Sequence, residues 1–156
     1  FDIAGRLYIT DTTADHSLGR VLLFLPPFTN NEFATRVVGI TPAGGFPSQD
    51  AADRTVMAGP TGIFFIPSAA KMGVLDAFSS RLLLFDTFDR WPDAATSFSP
   101  QASAVIGQPD FFNRKRNGSR SDVSGSLVAA SHAGDALWIM KLRQGRSGRL
   151  GRSPSQ

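Results

Sequence analysis

The side chains able to do chemistry are few and scattered. The chain has two histidines, His16 and His132, and no cysteine. Each histidine falls in a segment that reads as a turn, without carboxylates at metal-ligand spacing, so both read as solvated turn residues. The lack of cysteine excludes a disulfide frame and thiolate metal sites. No Gly-x-Ser-x-Gly elbow or Ser/His/Asp arrangement is legible. Gly44-Gly45 lacks the Lys-Ser/Thr step and the helix that a phosphate cradle needs. Arg114-Lys115-Arg116, with Arg120 nearby, stands beside Phe111-Phe112, a mixture suited to single-stranded nucleic acid. In a loop of an otherwise acidic body it reads as solvated, and nucleic acid is disfavoured as a partner. Asn117-Gly118-Ser119 fits a glycosylation acceptor, a tripeptide too common to carry weight. No catalytic, cofactor-binding or metal-binding residue is expected. What recurs is an acid–base pair, Asp11 with Arg20 and Asp76 with Arg81. There a carboxylate can accept N–H groups of the following turn or pair with the arginine, which would fix the register of a hairpin.

Those pairs sit inside a repeat. Leu7-Tyr8-Ile9, Met72-Gly73-Val74 and Leu137-Trp138-Ile139 recur about 65 residues apart, the period of one repeated supersecondary unit. After the first two come the aspartate, a polar turn, and Arg20-Val21-Leu22-Leu23-Phe24 or Arg81-Leu82-Leu83-Leu84-Phe85. Val37-Val38-Gly39 is echoed by Val105-Ile106-Gly107. Thr61-Gly62-Ile63 and Ser124-Gly125-Ser126 precede the second and third copies. Short apolar, β-branched runs stopped by Gly, Pro and Asp predict strands throughout: 6–11, 20–25, 34–40, 62–66, 72–76, 81–86, 102–107, 126–130 and 136–139. Arg20 to Leu25 is a continuous apolar run, suited to burial on both faces. No stretch carries a convincing helical stripe. The expected core includes Leu7, Ile9, Val21, Leu23, Ile63, Phe65, Val74, Leu82, Leu84, Val105 and Leu127.

Charge divides the chain. Residues 1–112 carry seven Lys/Arg and eleven Asp/Glu, whereas residues 113–156 carry nine and two, so the net +3 belongs to the C-terminal part. The repeat stops at Ile139, and residues 140–156 hold five basic side chains and no acidic one. Leu142 and Leu150 are the only large apolar residues after Met140, too few to outweigh ordering entropy. A frame slip in the coding sequence accounts for this economically; a genuine basic tail is the alternative. No apolar run reaches the length of a membrane span.

The repeated residues resemble NHL repeats of bacterial proteins. Pro60, Gly62, Asp76, Arg81, Leu83 and Phe85 fit the family pattern in the second unit. Leu7, Tyr8, Ile9, Asp11, Arg20, Val21, Leu22 and Phe24 fit it in the first. Val105-Ile106-Gly107-Gln108-Pro109-Asp110-Phe111 resembles a run found between such repeats in large, often exported, bacterial proteins. Gly19 and Ser80 stand where the family has Asn, and Gly73 where it has an aromatic. The resemblance implies an all-β fold. It would be a partial β-propeller of two nearly complete four-stranded antiparallel blades and the start of a third, a piece of a longer protein. Residues 1–59 would form a first blade lacking its inner strand, 60–122 a second, 123–139 the start of a third, and 140–156 a basic tail without stable packing. Asp11, Arg20, Gly62, Asp76, Arg81 and Gly107 would be structural repeat positions.

The expected function is that of a non-enzymatic scaffold binding a protein, peptide or glycan, exported to an extracellular or periplasmic setting. It would also contact the remaining blades of its parent chain. The alternative is a propeller enzyme of metal-dependent lyase or lactonase type with its site on other blades.

Overall fold

The computed structural model describes residues 1–13, 19–41, 44, 53–114, 126–133 and 136–142, the last two stretches by their backbone. Among them the chain is all-β. A three-stranded antiparallel sheet comprises β1 (Leu7–Thr12), β2 (Gly19–Phe24) and β3 (Arg36–Val38), in that order. A four-stranded antiparallel sheet follows with β4 (Pro60–Ile66), β5 (Lys71–Asp76), β6 (Arg81–Asp86) and β7 (Ala104–Ile106). The hairpin of β8 (Ser126–Ala133) and β9 (Ala136–Leu142) is a separate two-stranded ladder. Among the described residues helix is limited to two single 3-10 turns, Pro67–Ala69 and Phe88–Arg90.

All nine expected strands form; 81–86 has the expected ends and the others are shifted at one end or both. β3 and β7 are short because each runs into a glycine at positive φ, Gly39 at 103° and Gly107 at 91°, a conformation that ends an extended ladder. β4 starts at Pro60, and proline is tolerated as the first residue of a strand. β9 continues three residues past the expected Ile139, with Leu127 opposite Lys141 and Ser126 opposite Leu142. Residues 140–142 are thus paired as strand, since main-chain pairing does not require the side chains to keep the repeat pattern. Residues 143–156, on which the rest of the tail reading falls, lie outside the described residues.

The two sheets pack face to face. Tyr8, Val21, Leu23 and Val38 of the first meet Met72, Val74, Leu83 and Phe85 of the second in one buried cluster. Met57, in the connection between the sheets, is fully buried with them. Tyr8 meets Phe65 edge-on, with ring centroids 5.0 Å apart. The opposite face of the second sheet carries a smaller cluster of Phe64, Leu75 and Leu82.

Side-chain burial corrects the expected core in two ways. The first concerns phase. In β1 the buried residue is Tyr8, while Ile9 is exposed and Leu7 half-buried. Alternation along a strand allows one face inside, and β1 turns its Tyr8 face to the second sheet. For the same reason β2 alternates, with Val21 and Leu23 buried and Leu22 and Phe24 half-buried, so its apolar run is not buried on both faces. The second correction concerns position. β5 and β6, central in their sheet, bury Met72, Leu75, Leu83 and Phe85, whereas Ile63, Phe65, Leu84 and Val105 are only half-buried. The side chain of Leu127 lies outside the described residues.

Candidate functional site

The densest polar constellation lies at the end of the second sheet, around Asp76 and Arg81. Both are fully buried. They face one another in the β5–β6 register, and the Arg81 Nε donates to Asp76 Oδ2 at 3.0 Å. The rest of the guanidinium faces main chain. Its Nη1 donates to the carbonyls of Asp53 at 3.2 Å and Phe111 at 2.6 Å, and its Nη2 to the carbonyl of Val56. Asp76 Oδ1 accepts the N–H groups of Ala58 at 3.1 Å and Gly59 at 3.0 Å. Of the two partners the sequence allowed, the carboxylate has the arginine, and it takes its main-chain N–H groups from the connection preceding its sheet rather than from the turn after it. One ion pair holds both connections that flank the second sheet. Its buried charges are compensated by each other and by carbonyl and amide dipoles, as burial of charge requires.

The connection that enters this site is itself shaped. Asp53 accepts the N–H of Thr55 at 2.6 Å, the Thr55 hydroxyl at 2.7 Å and the N–H of Val56 at 2.8 Å, an Asx-type turn. Burial works to raise the Asp53 carboxyl. The bonds from Thr55 and Val56 and the charge of Arg81 outweigh it, leaving the group below the usual carboxylate range. Farther on, Gly59 lies under the Phe78 ring, and a Cβ there would come 2.1 Å from Phe78 Cδ2. Gln108, just after Gly107, donates from Nε2 to the Ser80 carbonyl at 3.1 Å. Gly62 faces Leu75, whose Cδ1 would stand 3.0 Å from a Cβ at that position.

The first sheet carries the same pair in looser form. Arg20 Nε donates to Asp11 Oδ2 at 2.7 Å, with side chains 37% and 40% exposed. They border a cleft of about 220 Å³ with Thr12, Gly19, Gly39 and Ile40.

Two further buried arginines, which the sequence reading did not single out, join the sheets elsewhere. Arg36 donates to three carbonyls of the β6–β7 connection: Phe98 at 2.8 Å, Pro92 at 3.1 Å and Ser97 at 2.7 Å. Arg6 reaches Asp2 at 2.6 Å and both oxygens of Asp89 at 2.6 and 2.8 Å, with its guanidinium over the Phe88 ring. The bond to Asp89 raises the arginine's proton affinity further against the opposing effect of burial. The Tyr8 hydroxyl is likewise pushed up by burial and by the charge of Asp2. A signal for these residues was present: Arg6, Arg20, Arg36 and Arg81 each stand at or next to the first residue of an apolar strand.

Of the other candidates, Phe111 packs against the main core with Arg54 4.7 Å over its ring, so it is not an open stacking platform. Phe112 is exposed. Asp110 closes the local turn by accepting from the N–H of Phe112 and the Asn113 amide. Residues 115–120, His16 and the side chain of His132 lie outside the described residues. Among the described residues no group of three or more His, Cys, Asp or Glu side chains is arranged to hold a metal ion. Among those residues, too, no helix is long and apolar enough to cross a membrane.

Comparison with protein-family models, with curated proteins and with solved structures finds no match to this chain.

Proposed function

We propose that the chain is a run of NHL-type propeller blades, and that it works as a non-enzymatic scaffold presenting loops to a protein, peptide or glycan. The observation that carries this reading is the use made of the buried charges. Arg6 and Arg36 reach from the first sheet to Asp89 and to carbonyls of the β6–β7 connection, and Arg81 with Asp76 holds the two connections that flank the second sheet. Such fixed ion pairs make a rigid repeat, and a rigid repeat is what positions variable loops for binding. The stacking direction supports the blade reading. The Ile9–Leu22–Val37 row of the first sheet corresponds by repeat position to the Val74–Leu83–Val105 row of the second, and that second row is covered by the first sheet. Repetition of this one interface would have each sheet offer one face to its predecessor and the other to its successor, the head-to-tail packing that a propeller needs.

The test is a structure and metal analysis of the whole reading frame from which this chain comes. A closed ring of four-stranded sheets without a stoichiometric metal is the expected result. Two sheets closed into a sandwich would overturn the propeller. A metal bound at the ring axis, with hydrolytic or lyase activity lost on chelation, would overturn the scaffold in favour of the enzyme.

A further inference from the structure

Sheets built from one repeat present similar faces, and misassembly between like units is a characteristic failure of such chains. Correct stacking then needs features that favour one neighbour over another. The β6–β7 connection supplies two, each a receptor for a guanidinium group of the first sheet. At one, the Asp89 carboxylate accepts from both Nη atoms of Arg6 at 2.6 and 2.8 Å, and the Phe88 ring lies 5.1 Å from the Arg6 Cζ. At the other, the carbonyls of Phe98, Pro92 and Ser97 accept from Nε, Nη1 and Nη2 of Arg36. The Arg36 Cζ stands 5.6 Å from the Trp91 ring and 6.0 Å from the Phe98 ring. The connection braces both receptors from within. Trp91 Nε1 donates to the Asp86 carbonyl at 2.6 Å, and the Phe88 and Trp91 rings meet edge-on at 5.4 Å. The N–H groups of Thr96 and Ser97 both reach the Asp93 carbonyl.

The face that fills these receptors belongs to the first sheet and has no equal on the second. Tyr8, Leu23 and Arg36 lie in one cross-strand row, with Arg6 two residues from Tyr8 on the same face. The matching row of the second sheet is Gly73, Leu84 and Ala104, and Lys71 stands in the place of Arg6. Lys71 Nζ is turned to its own sheet, to Asp86 at 2.7 Å and Ser103 at 2.8 Å. An ammonium lacks the planar fork that meets a carboxylate through two bonds, and alanine has no donor for three carbonyls. Gly73 also lacks the ring that Tyr8 sets against Phe65. The connections differ in the same sense. Counting from the matched Phe24 and Phe85, the first sheet has Pro27 and Phe28 where the second has Phe88 and Asp89. We infer that the β6–β7 connection is an address: a double guanidinium receptor that accepts a sheet carrying Arg6, Tyr8 and Arg36 and refuses one carrying Lys71, Gly73 and Ala104. The second sheet, of this or another molecule, therefore does not take the place of the first. This needs only the stacking of the two sheets and stands whether or not the whole protein is a propeller.

The test gives the first sheet the second sheet's residues in the full chain, Arg6→Lys together with Arg36→Ala. Amide hydrogen exchange over β1, β2 and β3 should accelerate by about tenfold or more, and over β5 and β6 far less. The milder Arg36→Lys, which keeps the charge, should show the same selective loss. Arg81→Ala, away from this joint, is the control and should not single out the first sheet. A loosened joint also exposes the receptors to other molecules. The chain has no cysteine, so Asn30→Cys, at an exposed position, places donor or acceptor dyes on separate copies. Energy transfer between copies of the double variant should rise with concentration and exceed that of the parent. Parent-like protection in Arg36→Lys would show that charge suffices. Loss spread evenly over both sheets would make the arginines general staples, and transfer no greater than the parent's would remove the discrimination. Any of the three would overturn the proposal.

Discussion

Asp76–Arg81 and Asp11–Arg20 are the same two residues in the same antiparallel register, at the ends of two successive hairpins. One pair is fully buried and tied to five main-chain groups, and the other is about 40% exposed. Among the described residues the difference follows the connection 53–59, which lies against the second pair and brings amides to the carboxylate and two carbonyls to the guanidinium, with a third carbonyl from Phe111. An identical motif is a staple where a chain segment crosses it and a surface salt bridge where none does among the described residues.

The comparison is broken most directly by removing the arginine. Arg81→Ala should cost about 3–5 kcal/mol in chemical denaturation, because it leaves Asp76 buried without its counter-charge. Arg20→Ala should cost at most about 1 kcal/mol, the range for exposed pairs. Equal losses at the two sites would show that burial by the connection does not set the strength of the pair.

The apolar faces offer the next contrast. Leu83 and Leu22 occupy matching positions, the first fully buried and the second half-buried. Leu83→Ala should cost about 2–5 kcal/mol, as other buried leucines do. Leu22→Ala should cost clearly less, and a loss at Leu22 as large as that at Leu83 would mean that the outer face of the first sheet is covered in solution. Gly73→Ala sharpens the same comparison from the small side. A methyl group there would press on the Phe64 ring at 2.1 Å, and overpacking of this kind costs roughly 1–3 kcal/mol. Phe64→Ala should cost less in the Gly73→Ala background than alone, a coupling that a double-mutant cycle by thermal melting would measure.

Much of the architecture was legible because the strands are short, apolar and punctuated by Gly, Pro and Asp, and because the repeat supplies each boundary twice. The inward face of β1 was not. Leu7, Tyr8 and Ile9 are all apolar enough to be core, and only the position of the neighbouring sheet decides that Tyr8 is inside. The Asp–Arg pairs were legible as pairs, since their spacing places them opposite one another in a hairpin. Their long-range partners were not, because main-chain carbonyls such as those of Val56 and Phe111 leave no trace in side-chain pattern. Arg36 escaped for the same reason, its carbonyl partners lying 56 to 62 residues away, and the Asp89 carboxylate that meets Arg6 lies 83 residues away in sequence.

The smallest expected effect concerns Asp53, whose turn delivers the connection to Arg81. Its carboxyl sits below the usual range in the folded chain, since the hydrogen bonds of Thr55 and Val56 and the charge of Arg81 outweigh the effect of burial. The folded state therefore binds this proton less readily than the unfolded state, whose aspartates titrate near 3.9. Linkage then fixes the direction: the stabilisation is complete above about pH 4 to 5 and is lost as pH falls through the lower, folded value. Asp53→Asn keeps the shape of the turn but removes this titration. Urea midpoints of the parent and of Asp53→Asn should lie apart at pH 6 and draw together as the pH is lowered below the unfolded aspartate range of about 3.9. A gap that stayed constant over that interval would place the value of Asp53 in the geometry of its turn rather than in its charge. The Asp76–Arg81 site would then receive a connection shaped by hydrogen bonding alone.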